Sequence, residues 1–209
     1  MAASDDSFET MPSSSMADHT HLAPTPVWAP SCVQIVTPRT RLHPVSSRHV
    51  TPTYVSWLND PEVSRFLESR FVEQTLGSVT DFVSTMAQDQ DVLFLAIERA
   101  DDGQHIGNIK VGPVNWRHST AEVGILLGDK STWGLGYASE VITAVSTYAL
   151  DRASLVKLTA GAYAANVGSV KAFERAGYEI EGRRIAQVVT TGGRDDVVLL
   201  GRVRGGRER

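Results

Sequence analysis

The sequence contains a single cysteine, Cys32, in 209 residues. One thiol excludes an intrachain disulfide and is typical of a protein of a reducing compartment. No apolar run approaches the roughly 18–20 residues that a membrane-spanning helix requires. The first residues include Asp5, Asp6 and Glu9 and no apolar stretch, so we expect no secretory signal. These absences predict a cytoplasmic protein that does not contact a membrane.

The chain also lacks an excess of basic residues. Its 20 Lys and Arg against 24 Asp and Glu give a formal net charge of −4 at pH 7, which argues against a nucleic-acid-binding protein. The histidines and the cysteine show no metal-ligand spacing, so we expect no metal site.

Residues 1–30 are rich in Ser, Pro, Asp and Ala and show neither helical nor strand periodicity. Such a segment buries too little apolar surface to offset the entropy of ordering it, so we expect a disordered or loosely ordered leader. We expect residues 31–204 to form one folded domain and residues 205–209 to form a basic, solvated tail.

Regular patterning begins near residue 33. It predicts one or two strands, short helices that break at Asn59-Asp60-Pro61, three antiparallel strands, a helix, a strand, a second helix and two final strands. This order is typical of a mixed α/β domain. We expect a central, mostly antiparallel, twisted sheet of about seven strands with helices on both faces.

One short stretch, "STWGLGYASE" at residues 131–140, lies between a predicted strand and a predicted helix. The first N–H groups of a helix are unpaired and its N-terminus is positive, so glycines there admit a phosphate; a tight turn without a ligand is the alternative. A nucleoside-triphosphate loop is excluded because Tyr137-Ala138 follow the second glycine. A dinucleotide fingerprint is excluded because Ser139 stands at its third glycine.

Four further segments accompany this loop: "WLNDPEV" (57–63), "HIGNIKVGP" (105–113), "AEVGILLGD" (121–129) and "NVGSVKAFERAGYEIEGRR" (166–184). Together and in this order they resemble the GNAT N-acetyltransferases of the RimJ/RimL type over roughly residues 34–204. That type acetylates protein N-termini and, in related branches, amino sugars and other small amines.

The resemblance implies that the loop holds the pyrophosphate of acetyl-CoA through the amides of residues 133–138. The thioester oxygen would receive a backbone N–H near Leu126 or Leu127. The family's usual Gln or Arg at the start of the loop is Ser131 here, with Lys130 as a substitute. The expected cofactor-binding residues are Leu126, Leu127, Trp133, Gly134, Leu135, Gly136, Tyr137, Ala138, Asn166 and Phe173.

Acetyl transfer to an amine needs a group that takes the amine proton. Strand alternation places Glu122 on one face with Gly124 and Leu126, and the family often uses an acid there, so Glu122 is the predicted base. A Glu that is solvated, or paired with Arg117 or His118, is the alternative.

The family's usual tyrosine near the sulfur is Phe173 in this chain. The resemblance therefore assigns that place to Ser169, three residues after Asn166. An ordinary serine in the first turn of a helix is the alternative.

The acceptor is expected to contact Trp57, Arg65 and Arg70, which the resemblance places beside the acceptor groove. The fork geometry of arginine suits a carboxylate or phosphate. Solvated surface charge is the alternative for each arginine.

The sequence thus predicts an acetyl-CoA-dependent N-acetyltransferase that works by direct attack in a ternary complex. Its acceptor would be a small amine, such as a nucleotide-linked amino sugar, or a protein N-terminus. A non-catalytic acyl-CoA-binding or regulatory module on the same fold is the alternative, suggested by Phe173 and Ser131. Expected partners are acetyl-CoA and the amine, with a homodimer left open.

Overall fold

The computed structural model describes residues 32–206. The predicted leader, residues 1–30, and the last three residues of the predicted tail lie outside that range. Within it, no helix is both long enough and apolar enough to cross a bilayer.

Eight strands form one sheet in the order β1-β2-β3-β4-β5-β6-β8-β7. The strands are β1 (Ile35–Val36), β2 (Thr40–Pro44), β3 (Leu93–Arg99), β4 (His105–Val111), β5 (Thr120–Leu127), β6 (Lys157–Tyr163), β7 (Glu179–Thr190) and β8 (Gly193–Val203). The helices are α1 (Pro52–Asn59), α2 (Pro61–Ser64), α3 (Leu76–Gln88), α4 (Tyr137–Asp151) and α5 (Val167–Arg175). The predicted fold class is confirmed, and the short β1 accounts for the eighth strand.

Local chemistry explains where the first helices begin. Thr51 caps α1 by accepting a hydrogen bond from the N–H of Tyr54 at 3.2 Å. Asp60 caps α2 in the same way, and Pro61 occupies the first helical position, where its missing N–H costs nothing. The predicted break at Asn59-Asp60-Pro61 is therefore the boundary between α1 and α2.

Alternation along the strands separates two cores. Leu93, Leu95 and Ile97 of β3 pack with α4 in the larger core, whereas Ala96 between them packs with α1 and α3 in the smaller one. On β5, Ala121, Val123, Ile125 and Leu127 face the α4 side. The side chains of Glu122 and Leu126 therefore face the α1–α3 side, and Gly124 lies between them without a side chain.

The sheet opens between β5 and β6. These two strands are parallel, whereas all other neighbouring strands are antiparallel, and they pair only from Thr120↔Lys157 to Glu122↔Thr159. Beyond this point β5 continues to Leu127 and β6 to Tyr163, each paired with its other neighbour but not with one another. A gap therefore forms in the middle of the sheet, and the candidate site lies there.

Candidate active site

A cavity of 1320 Å³ occupies the gap. Its floor is formed by β4, β5 and β6, and its walls by the segment after α2, by α5, and by the glycine loop in front of α4. Segments that are far apart in the chain thus meet around one space. This volume exceeds the roughly 300–1,000 Å³ that is usual for a small-molecule pocket.

The glycine loop is shaped to receive an anion. Gly134 and Gly136 have positive φ angles of 73° and 85°, and a Cβ at Gly134 would meet no atom within 4 Å. Their N–H groups have no acceptor within residues 32–206, and helix geometry leaves the N–H groups of Tyr137, Ala138 and Ser139 unpaired as well. The loop therefore presents a row of free donors at the positive end of α4.

Arg39, in the β1–β2 turn, holds this loop from behind. Its guanidinium donates to the carbonyl of Leu135 at 2.8 Å and to Glu140 at 2.7 Å, and it lies 4.4 Å above the ring of Tyr137. The Oγ1 of Thr37 donates to the same Glu140 at 2.5 Å. Leu135, predicted to bind the cofactor, therefore contributes its carbonyl to this clamp, while its side chain is 59% exposed.

The prediction that Lys130 replaces the missing basic residue at Ser131 is wrong. Lys130 pairs with Asp60 at 2.8 Å and with Glu62 at 2.7 Å, which ties the loop to the start of α2. Its charge is thus already neutralised by two carboxylates.

Positive charge reaches the cavity instead from α5. Lys171 and Arg175 line the cavity and form no ion pair within residues 32–206. Their i, i+4 spacing on α5 was the signal in the sequence that could have identified them.

Backbone pairing decides which residues of β5 offer an N–H to the gap. The N–H of Gly112 donates to the carbonyl of Glu122, and the N–H of Gly128 donates to the carbonyl of Ile106. The backbone N–H and C=O groups of the even-numbered residues of β5 therefore point towards β4. The backbone groups of the odd-numbered residues point towards β6. The carbonyl of Ser119, just before β5, does so and accepts the N–H of Val156.

The N–H groups of Ile125 and Leu127 therefore face the gap, where β6 no longer pairs with β5. Leu127 remains a candidate donor, and its carbonyl is held by the indole N–H of Trp133 at 2.9 Å. The prediction of a backbone donor at Leu126 is wrong because its peptide is engaged with β4. Its side chain lines the cavity.

Glu122 stands where the pairing of β5 with β6 ends. Its carboxylate lines the cavity and forms no hydrogen bond or ion pair within residues 32–206, so it is paired with neither Arg117 nor His118. An oxygen of this carboxylate lies 3.8 Å from the place that a Cβ would take at Gly161 of β6. The carboxylate is thus free to accept a proton from a ligand in the cavity.

Asn166 and Ser169 lie together at the start of α5. The side chain of Asn166 caps the helix by accepting the N–H of Ser169 at 3.2 Å. The Ser169 hydroxyl lines the cavity and makes no hydrogen bond within residues 32–206. Phe173 is 2% exposed and stacks edge-on against Tyr178 at 5.0 Å, so it acts chiefly as a core residue beneath the cavity.

The three residues predicted to contact the acceptor separate in the structure. Arg65 lines the cavity and lies 4.7 Å from the ring of Phe66. The structure corrects the prediction that Arg70 contacts the acceptor. Its guanidinium instead donates to the carbonyls of Leu67 and Val189 and to the Tyr163 hydroxyl. It ties the segment after α2 to β7 and β6.

The structure also corrects the prediction that Trp57 contacts the acceptor. Trp57 is 8% exposed, packs in the smaller core, and lies 5.1 Å from the ring of His105. Its indole covers Gly128 so closely that a Cβ there would lie 2.0 Å from Cδ2. The aromatic residue is core because this glycine lets it approach the backbone.

Sequence reasoning missed Asn108 and Lys110, which lie on the α1–α3 face of β4. Both line the cavity, and Lys110 is opposite Gly124 in register. Strand alternation relates them to each other, but only the pairing of β4 with β5 shows that they share a face with Glu122.

A cluster of His43, His49 and Glu98 brings three potential metal ligands within 4.8 Å of one another. The Arg48 guanidinium already contacts His43 at 2.8 Å and Glu98 at 3.2 Å, so a cation occupies this place. The Nδ1 of His49 accepts the N–H of Ser46, which leaves its proton on the Nε2 that faces Glu98. We interpret the cluster as a hydrogen-bond network that holds the Ser47–His49 turn on β3.

Known proteins share this sequence pattern and this fold. The family model of the acetyltransferase (GNAT) domain matches residues 39–179. An uncharacterized N-acetyltransferase of Bacillus subtilis, YoaA, is 27% identical over 149 residues, which are 70% of this chain and 82% of that protein.

Two solved structures have the same fold. RimL, a ribosomal L7/L12 α-N-protein acetyltransferase in complex with coenzyme A, has a TM-score of 0.73 at 18% identity and covers 82% of this chain and 98% of its own. The spermidine N-acetyltransferase of Vibrio cholerae, in complex with CoA and spermine, has a TM-score of 0.71 at 18% identity, with 80% and 96% covered. The match of the family model over most of the chain shows that this protein belongs to the GNAT acetyltransferase family.

Proposed function

We propose that the protein transfers an acetyl group from acetyl-CoA to a primary amine by direct attack in a ternary complex. The observation that carries this proposal is the gap between β5 and β6. A loop of free N–H groups lies at one end of it, and the unpaired carboxylate of Glu122 lies on its floor. A donor with a phosphate-rich tail and an acceptor with an amine fit these two ends.

In this reading the loop of Gly134 and Gly136, with Lys171 and Arg175 of α5, holds the phosphates of acetyl-CoA. The thioester lies in the gap, where the N–H of Ile125 or Leu127 donates to its oxygen. Such a donor stabilises the charge that this oxygen gains during attack.

Glu122 takes a proton from the acceptor amine, directly or through a water, so that the nitrogen has a free electron pair. The nitrogen forms a bond to the acetyl carbon, and the bond from that carbon to sulfur breaks. The electron pair leaves with sulfur as a thiolate, which takes up the second proton that the nitrogen loses as the amide forms. A thiol with a pKa near 8.5 is a fair leaving group, and the Ser169 hydroxyl is placed to donate to it.

The acceptor is a small amine or a protein N-terminus. The relatives support the chemistry of amine acetylation, since RimL acts on a ribosomal protein and the Vibrio cholerae enzyme on spermidine. At 18% identity those structures share the fold with this chain, but they do not identify its acceptor.

The test is a turnover screen in which released CoA thiol is measured with a chromogenic disulfide. The amines are nucleotide-linked amino sugars, peptides with a free N-terminus, and polyamines; the background is acetyl-CoA with enzyme and no amine. We expect acetylated product, confirmed by mass, with at least one amine. A protein that binds acetyl-CoA in calorimetry but releases no thiol with any of these acceptors would be a non-catalytic acyl-CoA-binding module.

A further inference from the structure

The floor of the cavity carries an amide donor without an acceptor. Asn108 of β4 is 3% exposed and lines the cavity, and its Oδ1 accepts a hydrogen bond from Nε2 of His105 at 3.0 Å. Its Nδ2 is buried and makes no hydrogen bond of standard geometry within residues 32–206, although the Tyr54 hydroxyl lies close enough to interact with the Asn108 side chain. An unpaired buried donor costs free energy, so a ligand that supplies an acceptor oxygen here is favoured.

Cations on the same walls are unpaired too. The ammonium group of Lys110, two residues from Asn108 on the same face of β4, has no hydrogen bond or ion pair within the described residues. The guanidinium groups of Arg184 on β7 and of Arg65 after α2 likewise make no hydrogen bond or ion pair within the described residues. All three line the cavity.

Most of the carboxylates that line the cavity are already engaged. Glu62 accepts from Lys130 at 2.7 Å, Glu68 accepts from the Tyr163 hydroxyl, and Glu181 pairs with Lys157 at 2.7 Å. Among the described residues this leaves Glu122 as the acid on these walls without a partner.

We propose that the acceptor is a small primary amine that also carries a phosphate group. This inference rests on the proposed function and names its substrate class. Lys110 and Arg65 attract the anionic group, and Asn108 donates to one of its oxygens; Glu122 faces the amine. A polyamine would bring several positive charges to walls whose free charges are mostly positive.

The spacing of these groups limits the size of the acceptor. Lys110 lies opposite Gly124, so Glu122 is its diagonal neighbour across β4 and β5. Diagonal residues in an antiparallel pair are about 7–8 Å apart, and the side chains span part of that distance. An amine and an anion separated by a few bonds therefore match the two groups.

The test compares matched acceptors in calorimetry on protein saturated with CoA, which needs no turnover. The pairs are phosphoethanolamine with ethanolamine, and glucosamine 6-phosphate with glucosamine; spermidine is the polycationic comparison. We expect the phosphorylated member of a pair to bind about tenfold or more tightly, with an advantage that shrinks as salt rises. Equal affinities, tighter binding of spermidine, or no binding of any phosphorylated amine would overturn the inference.

Variants at Lys110 locate the effect. Lys110→Gln should reduce the affinity for the phosphorylated amine about tenfold, and Lys110→Glu should reverse the preference towards spermidine. Arg117→Gln removes one positive charge at an exposed position in the β4–β5 connection and is the control. Unchanged CoA affinity in each variant shows that it is folded, and a loss in Arg117→Gln as large as that in Lys110→Gln would contradict the assignment.

The outcomes separate this inference from the proposed function. Phosphorylated amines that bind through Lys110 without any release of CoA thiol would leave the inference standing and contradict the transfer reaction. Acetylation that proceeds best with spermidine would confirm the transfer reaction and contradict the inference.

Discussion

The two ends of the cavity are built in different ways. At the proposed cofactor end the donors are backbone N–H groups, and the loop that carries them is fixed by Arg39 and Glu140 through hydrogen bonds and an aromatic contact. At the proposed acceptor end the floor carries charged groups, those of Lys110 and Glu122 among them, that have no partner within residues 32–206. The first end is preorganised for its ligand, whereas the second leaves its charges to be satisfied by the ligand.

The largest effect is expected at the acceptor end, from Glu122→Gln. A positioned base is typically worth about 10²–10⁴-fold in rate, and the amide keeps the shape while removing the basicity. We expect the turnover rate to fall by that order with acetyl-CoA affinity unchanged, and the loss to shrink as rising pH supplies free amine. Glu73→Gln, exposed and outside the cavity, is the control. Wild-type turnover at neutral pH would assign Glu122 to structure.

A smaller effect is expected at the cofactor end, from Gly136→Ala. A residue with a Cβ is strained at φ 85°, and the loop must present its N–H groups to the phosphates. We expect acetyl-CoA affinity in calorimetry to fall about tenfold or more. Gly103→Ala introduces similar strain at φ 71° in the β3–β4 turn, away from the cavity. Equal affinities in the two variants would show that the loop does not hold acetyl-CoA.

A still smaller change should follow Arg39→Ala, which removes the clamp but none of the N–H groups in the loop. We expect the KM for acetyl-CoA to rise several-fold with kcat close to its original value, since Arg39 positions the loop and lies far from the amine. Arg41→Ala removes the same charge from an exposed position on β2. An unchanged KM in Arg39→Ala would mean that the loop keeps its shape without the clamp.

The smallest effect concerns stability and lies outside the cavity. Burial, with the nearby His105, lowers the pKa of His49 to about 4, and burial also lowers the pKa of His43 and of His105. The unfolded chain therefore binds more protons than the folded one below about pH 6.5. We expect the free energy of unfolding to fall as pH drops from about 6.5 towards 4 and to be insensitive to these groups above that window.

Urea denaturation at a series of pH values measures this decline. His49→Gln should flatten it, whereas His118→Gln, at an exposed position between β4 and β5, should leave its slope unchanged. An equal slope in wild type and His49→Gln would contradict the role given to burial.

The fold was largely predictable because its signals are local. The break at Asn59-Asp60-Pro61 and the cap at Asn166 are set by neighbouring residues. The glycine loop could be found for the same reason, since strand, glycines and helix follow one another in the chain.

The acceptor end was not predictable in the same way. Lys110 and Glu122 become neighbours only through the register of β4 with β5, and Arg184 of β7 lines the same cavity. The predictions for Trp57 and Arg70 were wrong, because Trp57 is buried in the core and Arg70 donates hydrogen bonds to other parts of the protein. A side chain that is available to a ligand cannot be told from an engaged one until its partners are known.

The gap in the sheet also has a mechanical consequence. Strands β1 to β5 pair with their neighbours in sequence, and β6 to β8 form a second group, so between β5 and β6 the two groups share only the ladder from Thr120 to Glu122. Three pairs join these strands, against five between β4 and β5 and seven between β6 and β8, so we expect local opening under denaturant at this seam before those two longer ladders open. Since Glu122 stands at the last rung of the seam, acetylation should fade at urea concentrations below those that unfold either group of strands.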